Sequence, residues 1–135
     1  RYFNSSMELW TLAVITVEST AQIFYQSLKD ATNCNLLKQI CTDILIDEAK
    51  HIEFQQERLM IINEQKNPIS KFLEYYFYLI FYFSTITVVW FTHRKVFVAG
   101  HLTFKSYLMK MTLKFHKTIE KVKQAQKIKT TEIYY

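Results

Sequence analysis

One glycine and one proline in 135 residues are the feature that most constrains the fold of this chain. Turn-rich sandwiches and collagen-like repeats need these two residue types far more often. Half of the residues are apolar, which is enough to bury a sizeable core and excludes a disordered tail. The sequence therefore predicts an all-α fold of long helices that short loops connect.

Four helical segments are predicted, and they cover approximately residues 6–31, 36–66, 69–99 and 103–127. Asn67-Pro68 is the clearest break, because proline cannot continue a helix and restricts the residue before it. Gly100 suits the position just after a helix, where the backbone often adopts a positive φ. We expect an antiparallel bundle of two hairpins in one globular unit, with residues 1–66 as the first and residues 67–135 as an aromatic and basic second.

The C-terminal hairpin carries a basic stripe, because residues 101–129 contain eight lysines and a single acid, Glu120. Such a stripe is most often a solvated helix face, but it also attracts anionic lipid or nucleic acid. No recognition motif accompanies it, so no nucleic-acid partner is expected. Residues 72–92 contain one charge, Glu74, and reach the length of a membrane span. Their scattered tyrosines favour a helix that is buried or covered by a partner, and an anionic membrane surface stays the alternative.

The spacing of the two cysteines indicates the cellular compartment. Cys34 and Cys41 lie seven residues apart, which on one helix separates them by about 10 Å and prevents a disulfide. Reduced thiols are typical of the cytoplasm. We therefore expect a cytoplasmic protein, with peripheral attachment to the membrane as the alternative location.

Three ionisable residues fall on stripes that the helical period assigns to the core. Glu18 lies within the apolar stripe of the first helix, and Glu48 and His51 lie three residues apart on one face of the second. Burying them is costly unless each is paired or bound to a cation. Carboxylate oxygens with a single imidazole suit iron or manganese better than a structural zinc ion. Glu18, Glu48 and His51 are therefore the predicted metal ligands.

The run Ile46-Asp47-Glu48-Ala49-Lys50-His51-Ile52-Glu53-Phe54, with Glu18 thirty residues earlier, resembles the second half of a ferritin-like di-iron carboxylate protein. In that superfamily one Glu from each of two helices and a Glu-x-x-His from each of the other two form the site. The resemblance covers roughly residues 6–66 and implies a half-bundle of two long helices. Residues 90–110 are similar to a C-terminal extension of some uncharacterised bacterial ferritin-like proteins.

The resemblance implies a redox protein with binuclear iron, or manganese, that reacts with oxygen or peroxide. Glu18 and Glu48 would hold the metals, His51 would complete one coordination sphere, and Asp47 would hydrogen-bond a metal-bound histidine. Tyr25, two turns from Glu18, is either a hydrogen-bonding residue near the metals or a core tyrosine. No catalytic residue is predicted.

The other half of the ligand set is missing, because apolar residues stand three positions before every remaining histidine: Trp90 before His93, Val98 before His101 and Leu113 before His116. Helices upstream of Arg1, expected because the chain starts without a methionine, would supply it. Alternatively, a second copy would supply it in a symmetric homodimer. The alternative function is a non-enzymatic helical protein, peripherally associated with membranes, whose metal site is incomplete or vestigial.

Overall fold

The computed structural model describes residues 2–64 and 67–133, and this part of the chain is helical apart from short connections. The helices are α1 (Tyr2–Ala31), α2 (Asn35–Asn63), α3 (Pro68–Ala99) and α4 (Phe104–Ile133). The all-α prediction is confirmed. α1 and α4 are longer than predicted at their outer ends, and the predicted end of the second helix, at Lys66, lies outside the described residues.

The four helices pack as a bundle in which α1 contacts α2 and α3, while α4 also contacts α2 and α3. The largest buried side chains are aromatic residues of α3 and α4: Tyr78, Tyr82, Trp90, Phe97, Tyr107 and Phe115. Two hydroxyls join these helices, because Tyr82 donates to the Met111 carbonyl and Tyr107 donates to the Ile86 carbonyl, each at 2.6 Å. Burial raises the pKa of both tyrosines. The hydroxyls therefore stay protonated donors.

The buried face of α1 consists largely of small hydroxyl residues: Thr11, Thr16, Ser19, Thr20 and Ser27. Thr16 donates to the Leu12 carbonyl and Ser27 to the Ile23 carbonyl, both at 2.8 Å, so these hydroxyls are satisfied within the helix. Small side chains on this face leave room for the bulky aromatic residues of α3.

Asn67 and Pro68 lie between α2 and α3, where a break between two helices was predicted. The Asn67 side chain accepts a hydrogen bond from the backbone N–H of Ser70 at 2.8 Å and so caps α3. Pro68 occupies the first helical position, where its missing N–H leaves no bond unmade. The same dipeptide therefore prevents α2 from continuing and begins α3.

The prediction that Gly100 has a positive φ is wrong. Its φ is −83°, and His101 has the positive value, 68°. The N–H of Leu102 donates to the Phe97 carbonyl at 2.9 Å, and that of His101 donates to the Val98 carbonyl at 3.0 Å, the Schellman pattern of a helix end. A Cβ atom on Gly100 would lie 2.7 Å from the backbone of Ser27. Glycine is needed here because α1 and α3 approach closely.

The chain does not bury α3 in the way the sequence led us to expect. Among the described helices it is the one long and apolar enough to cross a membrane, yet only 17% of its most apolar window is buried. α1 and α4 cover one side of α3, and its other side faces outward along the whole helix. The prediction that the chain's own helices bury α3 on all sides is therefore wrong. The alternative, that a partner covers the exposed side of α3, stays a prediction.

Candidate metal site

The packing of α1 on α2 brings the three predicted ligands together. Glu18 comes from α1, and Glu48 and His51 stand one turn apart on α2. One ligand atom from each of the three residues lies within 4.8 Å of the others. The Nδ1 atom of His51 lies 3.7 Å from Oε1 of Glu18. Within the described ranges, this is the one group of three or more acidic, histidine or cysteine side chains close enough to share a metal ion.

The prediction that all three side chains point into the core is wrong for His51. The Glu18 side chain is 16% exposed, whereas the His51 side chain is 62% exposed. The core forms on another face of α1, where Leu12 and Ile15 pack with residues of α3 and α4. The site therefore lies at the edge of the α1–α2 pair, with its carboxylates half-buried and its imidazole open to solvent.

Both carboxylates present an unpaired oxygen to the site. Oε2 of Glu18 and Oε2 of Glu48 are buried, and no donor in the described part of the chain reaches them. Burial, and then the nearby Glu48 carboxylate, raise the pKa of Glu18, while His51 opposes this shift. A cation between the two carboxylates would satisfy both oxygens and remove their repulsion. Two carboxylates and one imidazole could therefore hold a divalent cation, and iron or manganese stays a prediction for its identity.

Gln55 lies on the same face of α2 as Glu48 and His51, although the sequence analysis did not assign it to the site. Its Oε1 atom is also buried and receives no hydrogen bond from the described residues. Gln55 stands seven residues after Glu48 and four after His51, so it shares their face of α2. That spacing was the signal in the sequence that could have identified it.

Asp47 and Tyr25 lie outside the three-residue group. Asp47 is exposed on α2, and no hydrogen bond or ion pair with His51 is formed within the described residues. Tyr25 is half-buried, and its ring meets the Phe24 ring edge-on with centroids 5.3 Å apart. Their roles near a bound metal stay predictions.

The two helices that carry the site also have an exposed apolar surface. Large hydrophobic side chains are exposed here on both helices: Trp10 and Val17 on α1, and Leu36, Ile40, Phe54 and Ile61 on α2. Ile40, Asp47, Phe54 and Ile61 follow a seven-residue spacing, which is typical of a helix seam that packs against another helix. His51 stands beside this seam. We call these residues the α1–α2 surface, and further helices that would cover it stay a prediction.

No family model, curated protein or solved structure matches this chain. The fold and the site together define a helical bundle with a candidate carboxylate–histidine metal site at its edge.

Proposed function

We propose that this chain carries half of a ferritin-like di-iron or di-manganese site and acts as a redox protein toward oxygen or peroxide. The supporting observation is the convergence of Glu18, Glu48 and His51 within 4.8 Å, with a buried oxygen left without a donor on each carboxylate. In this proposal α1 and α2 are the antiparallel half of a four-helix bundle that contributes a lone Glu and a Glu-x-x-His.

The uncovered α1–α2 surface supports a half-site rather than a complete one. A binuclear site of this class needs two further Glu ligands and one further His. A helix pair that docks on the α1–α2 surface would bring them toward His51, whose side chain is 62% exposed. Two sources meet this requirement: a second copy related by a two-fold axis, or a helix pair elsewhere in a longer chain.

The residues of the chain have distinct roles in this proposal. Glu18 and Glu48 would hold and bridge the metals, and His51 would complete the coordination of one of them. When bound, the metal pair supplies redox chemistry with oxygen or peroxide and an open coordination position. The half-buried carboxylates keep most of their surface away from water, which strengthens their attraction for a cation.

Anaerobic titration with iron(II) and manganese(II), followed by elemental analysis, tests the metal site. Light scattering on the same samples gives the oligomeric mass. We expect one metal per chain in an even-numbered oligomer if two copies complete the site. Glu48→Gln should lose this metal. The matched control is Glu57→Gln, an exposed glutamate of α2 outside the group, which should keep it.

Retention of full metal by Glu48→Gln would contradict the assignment of the ligands. Weak binding of metal to a monomer would favour completion by another segment of a longer chain. The redox role is tested separately, by the consumption of oxygen or peroxide by the iron-loaded protein. Metal binding with no consumption above the rate of the Glu48→Gln variant would refute the redox role and leave the metal site intact.

A further inference from the structure

The outward side of α3 forms a long apolar surface. Nine large hydrophobic side chains of this helix are exposed: Ile69, Phe72, Leu73, Tyr76, Phe77, Ile80, Val88, Phe91 and Val98. At about 100 Å² for each half-exposed side chain, they present about 900 Å² of apolar surface. Soluble monomers rarely leave contiguous apolar patches larger than a few hundred Å². We call these nine residues the α3 outer face.

The two flanks of α4 have different surroundings. Lys114 and Thr118 of α4 contact Gln22 of α1 and Gln56 of α2, so that flank of α4 faces the other hairpin. The opposite flank follows helical spacing along α4 and consists of Lys105, Met109, Thr112, His116, Glu120 and Lys127. We call it the basic flank, because it carries two lysines and one acid, whereas Lys123 lines a pocket with Glu8 and Leu12 of α1. A helix flank with net positive charge on the same hairpin as an apolar face complements an anionic lipid surface.

The end of this surface resembles a membrane interface in its composition. Phe91, Arg94 and Phe104 line an open pocket where α3 turns into α4, and Trp90 forms its floor, stacked on Phe97 with centroids 5.5 Å apart. No carboxylate of the described residues lies within ion-pair distance of Arg94. Aromatic rings with an unpaired guanidinium suit the depth of lipid headgroups, where the rings contact acyl chains and the cation contacts phosphate.

The packing of α3 against α4 disfavours a membrane-spanning orientation. The bonds from Tyr82 to Met111 and from Tyr107 to Ile86 fix the two helices side by side. If α3 crossed a bilayer, α4 would carry several lysines into the hydrocarbon, at about 2.5–3.5 kcal/mol each. An orientation along the membrane surface buries the α3 outer face and keeps the lysines at headgroup depth.

We propose that the α3 outer face, the basic flank of α4 and the Arg94 pocket together form a docking surface for anionic phospholipid bilayers, with α3 lying along the membrane plane. This surface uses none of the metal ligands. The proposal therefore stands independently of the proposed function.

Co-sedimentation of the full chain with vesicles tests the proposal in the presence of a metal chelator. We expect binding to phosphatidylcholine vesicles with about 30% phosphatidylserine, and much weaker binding to pure phosphatidylcholine. Raising the salt from about 0.1 M to about 1 M should weaken binding, because the headgroup attraction is screened. Arg94→Gln should weaken it about fivefold.

A matched pair of variants tests the apolar contribution. Ile80 of α3 is 68% exposed and Ile61 of α2 is 64% exposed, so neither replacement disturbs the core. Ile80→Ser should weaken vesicle binding about tenfold, and Ile61→Ser should leave it unchanged. Equal effects of the two variants, or equal binding to both kinds of vesicle, would overturn the proposal. It would also fail if Ile80→Ser only converted a dimer to a monomer, since a second copy would then cover this face.

Discussion

Gly100 is the residue whose replacement gives the sharpest test of the helix packing. In Gly100→Ala the new Cβ would lie 2.7 Å from the Cα, Cβ and O atoms of Ser27. The φ of −83° is open to any residue, so the cost is steric alone. Two of the three close atoms belong to the backbone of α1, so the helices themselves must separate. Overpacking of this kind costs about 1–3 kcal/mol.

Replacement of the neighbouring residue, His101, should change the stability of the protein in the opposite direction. His101 holds a positive φ, a conformation that costs a non-glycine residue about 1 kcal/mol. His101→Gly should therefore stabilise the protein by about that amount, while Gly100→Ala destabilises it. Urea unfolding followed by circular dichroism measures both changes. Each variant should shift the urea concentration at the midpoint of unfolding and leave the dependence of the unfolding free energy on urea unchanged.

A double variant isolates the steric contact. Ser27→Gly removes the side-chain Cβ atom but leaves the backbone atoms, so it should rescue Gly100→Ala only in part. A neutral or stabilising effect of Gly100→Ala would show that α1 and α3 do not approach as closely as described. Destabilisation by His101→Gly would refute the left-handed conformation of that residue.

Three further substitutions test the charges and hydrogen bonds of the bundle. Glu18→Gln should raise the unfolding free energy of the chelator-treated protein, because it removes a desolvated charge that faces Glu48, and it should abolish metal binding. A loss of stability in the metal-free state would contradict this reasoning. Burial, and then two nearby lysines, lower the pKa of Lys114 in the folded protein from its ordinary 10.5. Just below pH 10.5 the unfolded chain therefore binds more protons at this residue than the folded protein does. Stability should therefore rise with pH in this interval more steeply in the native protein than in Lys114→Met, and parallel pH profiles would refute the shift. Tyr82→Phe should cost about 1 kcal/mol in urea unfolding, because the buried bond to the Met111 carbonyl is lost, whereas a neutral result would contradict that bond.

The helices themselves were predictable because the chain has so few residues that break them. The break at Asn67-Pro68 follows from the covalent geometry of proline. α2 ends at Asn63, before this dipeptide, and α3 begins at Pro68. The spacing of Glu48 and His51 likewise fixed their common face on α2, since residues three apart on a helix are neighbours. A short connection between the first two helices then brought Glu18 beside them.

The orientation of α1 could not be predicted from hydrophobicity. Apolar periodicity assigned the Glu18 stripe to the core, yet the observed buried face contains Thr16, Ser19 and Ser27. Two of these hydroxyls bond to carbonyls of their own helix, so burying them costs little. Their small size also suits contact with an aromatic helix. A pattern based on polarity therefore selected the wrong face of α1. The same reasoning, applied to the apolar stripe of α2, placed His51 in the core instead of at the edge.

The two uncovered apolar surfaces of the bundle differ in the charges beside them, and this difference separates their partners. α1 and α2 together hold eight acids and four lysines or arginines, whereas α3 and α4 together hold eleven lysines or arginines and three acids. A cation is attracted to the first surface and anionic headgroups to the second. Glu48→Gln should therefore lose metal without changing vesicle binding, and Ile80→Ser should do the reverse. If either variant changed both properties equally, the two surfaces would act as one interface, and separate partners would be the wrong description.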